Sequence, residues 1–511
     1  MCLADRLLSG LLDPKRRDGV VLALLAAYAV VWTLYFVLER SSQDVHYDMA
    51  EVVAWSRDLS LGGSKHPALS AWIAALWFKY FPLRDWAYYL LAMVSAAVTL
   101  WVDWLIIGRW LDGSKRVAGF ALLTLLHFFN FFAFKFNANT VLLPVWALTT
   151  LFFIRSYENR KPSYAALAGL CAAGAMMGKY WSVFMLIGLA VAALAGGRRR
   201  EYFRSPAPWI TAAAGLAALA PHLYWLWTHD FVSVRYAAEA HAADSIDDVV
   251  STWAFYSLGV LASVVIPMLL VRAFARVSAR EMIRSLWPQT PERRLAAIVF
   301  WIPLLLPLAA AFAMESDLRP IWILAGMSLL PVVLLSSPRI AVSVPAAGAI
   351  TLLALAFPLV SLVVSPMAAA ANYAAGISNH GADYRLLAGR VQKIWNEGSD
   401  RRIAFVGGRD KLAEGAAFYL KGRPRVVPIA SLSDDTERDA LRRRGFVFIC
   451  SANQETCLDS LNGLTAWLPF DTVREITVRP RFLGRPGPEH RYVIAIARPE
   501  PRTRKHGGAG V

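Results

Sequence analysis

The chain has 511 residues, of which 57% are hydrophobic and only 18% are charged. Its mean hydropathy of +0.43 excludes an ordinary soluble enzyme and indicates a membrane protein with several spans. The net charge of +16 does not point to nucleic acid, because the arginines fall in short clusters between apolar runs, as they do in cytoplasmic membrane loops.

The N-terminal residues 1–19 form a basic flank that contains Lys15, Arg16 and Arg17. By the positive-inside rule, this flank places the N-terminus in the cytoplasm. The apolar run at 20–38 is long enough to cross a bilayer and lacks a small-residue cleavage site. We therefore expect a retained anchor and not a cleaved signal peptide.

Apolar runs recur through residues 20–366, and basic clusters mark the turns assigned to the cytoplasmic side. About eleven spans are predicted, and short or proline-broken runs allow up to thirteen. The predicted spans are 20–38, 86–108, 117–134, 138–154, 165–178, 181–195, 209–227, 249–271, 297–313, 321–335 and 340–364. This count places the first connecting loop, 39–85, outside the cytoplasm.

Beyond residue 366 the composition changes to that of a small α/β domain, 367–500, with regular elements from about residue 379. An odd number of spans places this domain outside the cytoplasm. The tail, 501–511, is predicted to be disordered. The predicted strands are 401–408, 423–428, 445–450 and 491–497, and the predicted helices are 410–420 and 435–444.

Two cysteines of this domain, Cys450 and Cys457, are separated by a short loop. In an oxidising compartment they are equally consistent with a disulfide and with two separate thiols. The sequence has no P-loop, dinucleotide-binding glycine pattern or zinc-ligand spacing. We therefore expect neither a metal nor a cofactor.

The polar segment 43–72 carries the densest set of ionisable and aromatic groups near a predicted membrane surface. Asp48 and Glu51 are three residues apart, so a helix over 47–59 would place both carboxylates on one face. Such a pair is suited to general-base catalysis. His66 and Pro67 then close the segment before the next apolar stretch.

The strings DMAEVVAWSRDLSLG and KHPALSAW in this segment resemble the first extracytoplasmic loop of the polyprenyl-phosphate-sugar glycosyltransferases. That superfamily includes the protein O-mannosyltransferases and the lipid A aminoarabinose transferases. The resemblance implies that Asp48 is the catalytic residue. Met49 follows it where an Asp-Glu pair is usual, which leaves Glu51, or less favourably Asp44, as a second carboxylate.

One further departure and three further blocks define how far the resemblance extends. Ala68 stands where the second proline of the His-Pro-Pro turn is usual. The blocks FKFNANTVLLPVWALTTLFFIRS, GAMMGKYWSVFMLIGLA and PHLYWLWTHDFVSVRY also resemble bacterial members, in this order. The resemblance implies a GT-C fold and direct displacement of a sugar from a polyprenyl phosphate.

Such a reaction needs cations that hold the departing phosphate. Lys179 lies between two apolar spans, where a lysine either meets an anion or extends its ammonium group to the membrane surface. The same logic applies to Lys135. His66 is a candidate for contact with phosphate or acceptor, or a residue that stabilises its turn. His229 and Arg235 either join the phosphate site or belong to a self-contained loop.

These observations predict an inner-membrane glycosyltransferase whose partners are the lipid-linked donor, the bilayer and an outward-facing glycan, lipid or protein acceptor. The many arginines after residue 420 favour an anionic acceptor such as lipopolysaccharide. The alternative is a glycolipid transporter or flippase. Transporters of that kind often carry inverted repeats and mid-membrane charges, whereas this chain has no matching halves.

Overall fold

The computed structural model describes residues 3–288, 290–377, 383–429 and 435–499. The chain divides into two compact units. The first unit comprises Met1–Val37 and Leu59–Val364, and the second comprises Leu38–Asp58 and Ser365–Val511. The predicted disordered tail, 501–511, lies outside the described residues, as does residue 379, where the regular elements of the C-terminal domain were expected to begin.

Helices make up almost all of the regular structure before residue 375. They are α1 (Leu3–Leu12), α2 (Arg17–Glu39), α3 (Tyr47–Trp55), α4 (Leu69–Tyr80), α5 (Asp85–Ile107), α6 (Gly113–Leu125), α7 (Leu142–Asn159), α8 (Pro162–Gly178), α9 (Ser182–Ala195), α10 (Arg199–Arg204), α11 (Ala207–Thr228), α12 (Val232–Glu239), α13 (Ile246–Ala275), α14 (Ala279–Ser285), α15 (Pro291–Met314), a 3-10 turn (Pro320–Ile323), α16 (Leu324–Met327), α17 (Leu330–Leu335) and α18 (Val344–Ala374).

Five helices of the described residues are long and apolar enough to cross a membrane: α2, α5, α13, α15 and α18. The helical membrane architecture is therefore confirmed, whereas the count of eleven spans stays a prediction. Some of the helices pack with their backbones close together. Gly169 of α8 leaves no room for a Cβ atom beside the carbonyl oxygen of Thr211 on α11, which is how small residues bring membrane helices together.

Two predicted spans are not continuous helices. The span expected at 117–134 ends as a helix at Leu125, because the Asn130 amide donates hydrogen bonds to the carbonyls of Thr124 and Leu126, at 3.2 and 3.0 Å. The span expected at 321–335 breaks into the 3-10 turn, α16 and α17. Pro331 cannot donate a backbone hydrogen bond, which favours a new helix start at that point.

The second unit contains a mixed sheet with helices, which agrees with the predicted α/β domain. Its further elements are α19 (Tyr384–Asn396), β1 (Phe405–Gly408), α20 (Asp410–Tyr419), β2 (Arg425–Val427), α21 (Asp435–Arg444), β3 (Phe446–Ser451), α22 (Glu455–Thr465), β4 (Thr472–Val478), β5 (Arg481–Phe482), β6 (Arg485–Pro486) and β7 (His490–Ala497). The strand order is β2-β1-β3-β7-β4. β1 pairs in parallel with β2 and β3, and β7 pairs antiparallel with β3 and β4.

Alternating side chains of β1 and β3 enter two cores. Val406 and Ile449 pack with buried residues of α19 and α20, whereas Phe405 and Phe448 pack with α21 and α22. All four predicted strands and both predicted helices of this domain are confirmed. The sequence analysis did not predict α19, α22 or β4, although α19 is amphipathic and follows the 3.6-residue period.

Cys450 at the end of β3 and Cys457 in α22 form a disulfide. The alternative of two separate thiols is therefore wrong. We expect reduction, or the pair Cys450→Ala and Cys457→Ala, to lower the free energy of unfolding of the second unit by about 2 to 3 kcal/mol, since the loop is short. Denaturant unfolding of the full chain in detergent, with and without a phosphine reductant, measures this change.

The free Cys171 supplies the control for that measurement. Cys171→Ser removes a thiol outside the second unit and should leave the reductant-sensitive transition in place. An unfolding midpoint that does not respond to reduction would show that the disulfide contributes nothing.

Candidate active site

Helix α3 of the second unit carries the two predicted carboxylates. The predicted helix is confirmed, although it ends at Trp55 and not at residue 59. His46 caps its first turn, because the His46 Nδ1 accepts a hydrogen bond from the Asp48 backbone N–H at 3.2 Å. The same Nδ1 lies 3.7 Å from Oδ2 of Asp48. Asp48 and an imidazole therefore lie together at the start of the helix.

The two carboxylates differ in exposure. The Asp48 side chain is 20% exposed, whereas Glu51 is only 6% exposed. The alternative that Glu51 is an ordinary exposed glutamate is therefore excluded. A buried carboxylate is costly unless its oxygens are engaged. Glu51 is thus better suited to orient a neighbouring group than to exchange protons with solvent.

Helix α3 is attached to the sheet unit by specific contacts. It packs on α20, and the Val45 backbone N–H donates to the Tyr419 hydroxyl at 2.9 Å. The Lys411 ammonium lies 4.3 Å from the centre of the Tyr47 ring. Local sequence therefore forms the helix, but the C-terminal part of the chain holds it in place.

Asp44, the less favoured second carboxylate, has a structural contact. Its Oδ2 accepts a hydrogen bond from the backbone N–H of Arg385 at 3.0 Å. Its Oδ1 lies 3.5 Å from the Arg385 guanidinium. These contacts fix the start of α19, which favours Glu51 over Asp44 as the partner of Asp48.

In the first unit, Lys179 stands at the C-terminal end of α8. Its ammonium donates to Oδ1 of Asn139 at 3.1 Å and lies 4.7 Å from the centre of the Trp322 ring. Three separate stretches of sequence thus meet at this cation. An amide oxygen and an aromatic face thus contact the ammonium, and an ammonium group is a suitable ligand for an anion.

His241 lies beside the same tryptophan. Its ring meets Trp322 edge-on at 4.9 Å, and its Nδ1 has no hydrogen-bond partner among the described residues. Burial, together with the charges of Lys179 and Arg319, lowers the pKa of His241 to about 4. The imidazole is therefore neutral at pH 7, and the charges of Lys179 and Arg319 near it are positive.

A hydrogen-bond network extends from the residue next to Lys179. The Tyr180 hydroxyl lies 2.9 Å from Nε2 of His222 and 2.7 Å from the Ser233 hydroxyl. The Nδ1 of His222 lies 2.8 Å from the Leu61 carbonyl oxygen. This network ties α11 and α12 to the loop that contains His66.

His66 lies in that loop, which is closed by a bridge between Gly62 and Pro67. Its ring is perpendicular to that of Tyr236, at 6.2 Å. Gly62 has to be glycine, because an added Cβ atom would overlap the ring of Trp225. His66 therefore lies in the loop that His222 contacts, beside Tyr236 of α12.

The structure gives less support to the other three residues predicted to bind the donor phosphate. His229 is exposed; its Nδ1 lies 2.9 Å from the Trp225 carbonyl oxygen, and its ring stacks on Trp225 at 4.3 Å. Arg235 is exposed on α12. Lys135 is half-buried, and its carbonyl accepts a hydrogen bond from the Thr140 hydroxyl. His229 thus contributes to the end of α11, and the roles of all three in binding phosphate stay predictions.

The sequence analysis did not single out Tyr180, His222, His241 or Trp322. His222 had a detectable signal, since a histidine inside an apolar run is rare without a function. Tyr180 follows Lys179 directly and falls in one of the resembling blocks. Trp322 and His241 reach Lys179 only through tertiary packing, so no local pattern could identify them. No group of three or more metal-ligating side chains occurs among the described residues.

The chain combines a helical membrane unit and an α/β unit, with two carboxylates on a short helix that follows the first long helix. The chain resembles the crystal structure of ArnT from Cupriavidus metallidurans bound to undecaprenyl phosphate, with a TM-score of 0.56 and 13% identity over 93% of this chain and 97% of that chain. For apo ArnT, the TM-score is 0.57 and the identity 12%, over 94% and 98%. These likenesses concern the fold.

Two sequence comparisons agree with that fold. The family model described as dolichyl-phosphate-mannose-protein mannosyltransferase matches residues 65–225. The lipopolysaccharide core galacturonosyltransferase RgtB of Rhizobium johnstonii is 25% identical over 333 residues, which cover 62% of this chain and 65% of RgtB. The resemblance to the GT-C glycosyltransferase superfamily is thereby confirmed.

Proposed function

We propose that this protein is a bacterial inner-membrane glycosyltransferase that moves a sugar from a polyprenyl phosphate to a hydroxyl group of a lipopolysaccharide-type acceptor. The relative RgtB acts on lipopolysaccharide core, and ArnT was solved with undecaprenyl phosphate, which supports this pairing of acceptor and donor. In the proposed orientation the N-terminus is cytoplasmic and the second unit is periplasmic.

In the proposed reaction, the Asp48 carboxylate takes the proton of the acceptor hydroxyl, whose oxygen attacks the anomeric carbon of the donor sugar. The bond from that carbon to the phosphate oxygen breaks, and the phosphate leaves with the electron pair. A displacement of this kind inverts the anomeric centre. Glu51 is proposed to orient the acceptor or to support Asp48.

The observation that carries the proposal is the arrangement around Lys179. Its ammonium is contacted by Asn139 and the face of Trp322. The Nδ1 of His241, which has no partner among the described residues, lies near the positive charges of Lys179 and Arg319. Cations placed in this way stabilise the negative charge that develops on a departing phosphate. His66, Lys135, His229 and Arg235 are proposed as further donor contacts.

The decisive experiment supplies purified protein in lipid nanodiscs with a radiolabelled polyprenyl-phosphate sugar and a lipopolysaccharide extract. Transfer of label to the extract supports the proposal. A parallel assay in proteoliposomes follows movement of the labelled donor between leaflets. Movement without transfer would identify a flippase instead and refute the enzyme.

The affinity for the donor should rise as the pH falls. A bound phosphate favours the charged form of His241, so its pKa rises above about 4 on binding, and donor binding then takes up a proton. We expect binding about threefold to tenfold tighter at pH 5 than at pH 7. A phosphodiester donor keeps the same charge over this range, so the ligand itself does not contribute.

Equilibrium binding of the labelled donor between pH 5 and pH 7 measures this effect. His241→Gln keeps a polar side chain but cannot take up the proton, so its affinity should change less with pH than that of the wild type. A wild-type affinity that is constant over this range would separate His241 from the phosphate site.

A further inference from the structure

A cavity of about 390 Å³ opens in the second unit, apart from the residues assigned above. It lies where β1 and β3 end, since Arg409 follows β1 and Asn453 follows β3 in its lining. From β1 the chain crosses through α20 to β2 on one side, and then through α21 to β3 on the other. Ligands of open α/β sheets bind at such a switch point.

The cavity is positively charged. Arg409 and Lys411 flank the first turn of α20, and both are exposed. Within the described part of the chain, neither forms a salt bridge. Arg491 and Glu489 also line the cavity, but each has a partner elsewhere on the sheet. The N-terminal backbone N–H groups of a ten-residue helix add to the attraction for an anion.

A buried hydroxyl supplies independent support for a ligand. Tyr384 lines the cavity and is 1% exposed, yet its hydroxyl has no hydrogen-bond partner among the described residues. A buried hydroxyl without a partner is energetically unfavourable. The Tyr384 ring packs against Gly415, where an added Cβ atom would overlap it. An oxygen atom of a bound molecule would satisfy this hydroxyl.

The cavity adjoins the helix that carries Asp48. Lys411 lines the cavity and contacts the Tyr47 ring of α3, one residue before Asp48. We propose that this cavity binds an anionic group, a phosphate or a carboxylate, of the acceptor saccharide, and so holds the acceptor beside α3. This inference rests on the proposed transferase function.

The test measures binding of a phosphorylated core oligosaccharide, released from lipopolysaccharide, to the full chain in detergent by titration calorimetry without donor. Arg409→Ala should weaken binding at least about tenfold, the effect of losing a charge-assisted contact. Tyr384→Phe should weaken binding while the thermal midpoint of the empty protein stays the same or rises. Lys393→Ala, an exposed lysine of α19 outside the cavity, is the control.

Two chemical treatments of the oligosaccharide distinguish a phosphate from a carboxylate as the bound anionic group. Weaker binding after phosphatase treatment assigns a phosphate, and weaker binding after reduction of carboxyl groups assigns a carboxylate. If neither treatment weakens binding, or if Arg409→Ala and Tyr384→Phe bind as the Lys393→Ala control does, the inference is overturned.

The same variants distinguish failure of this site from failure of the proposed function. A wild type that binds the saccharide but transfers no sugar would refute the transferase and leave the site standing. Conversely, normal transfer with an unchanged acceptor KM in Arg409→Ala and Tyr384→Phe would overturn the site and leave the transferase standing.

Discussion

Asp48→Asn is expected to reduce sugar transfer about 10²- to 10⁴-fold, the usual loss when a general base is removed. The amide has nearly the same shape as the carboxylate, and the backbone N–H of residue 48 still donates to the His46 ring. The fold and donor binding should therefore be retained. Transfer rates at saturating donor, with donor affinity measured separately, test this expectation.

Asp58→Asn is the matched control for this variant. Asp58 belongs to the same unit but its side chain is 59% exposed and lies 3.8 Å from Arg425. It should transfer sugar at close to the wild-type rate. If Asp48→Asn also works at that rate, Asp48 is not the base, and the proposed mechanism fails at its first step.

Lys179→Met is expected to weaken donor binding about 10- to 100-fold, because a hydrogen bond to a charged group is worth about 1.5 to 3 kcal/mol. Methionine keeps most of the aliphatic stem, so the packing against Trp322 is largely retained. The dissociation constant of a labelled polyprenyl-phosphate sugar is the quantity to measure. Lys179→Arg, which keeps the charge, should lose less affinity.

Lys161→Met provides the control at the opposite end of the same helix. Lys161 precedes α8 and is exposed, so its loss should leave donor affinity unchanged. Equal affinities for wild type and Lys179→Met would remove Lys179 from the phosphate site. The positive charges near His241 would then serve a role other than binding phosphate.

The sequence by itself determined the local elements of this protein. Apolar runs and basic flanks predicted a helical membrane protein, and a helix over 47–59, present as α3, was expected to place Asp48 and Glu51 on one face. Short segments with the character of buried strands predicted four strands of the sheet. Each of these predictions depends on side chains that are near one another in the chain, within one apolar run, one helix or one strand, where a local pattern carries information.

Tertiary structure alone decided which residues meet. The burial of Glu51, the contact of Lys179 with Asn139 and Trp322, and the cavity at the ends of β1 and β3 join residues that are far apart in the chain. Helix breaks such as the one at Asn130 also depend on side-chain hydrogen bonds that hydropathy does not report. Such contacts depend on how helices and strands pack, which no local pattern specifies.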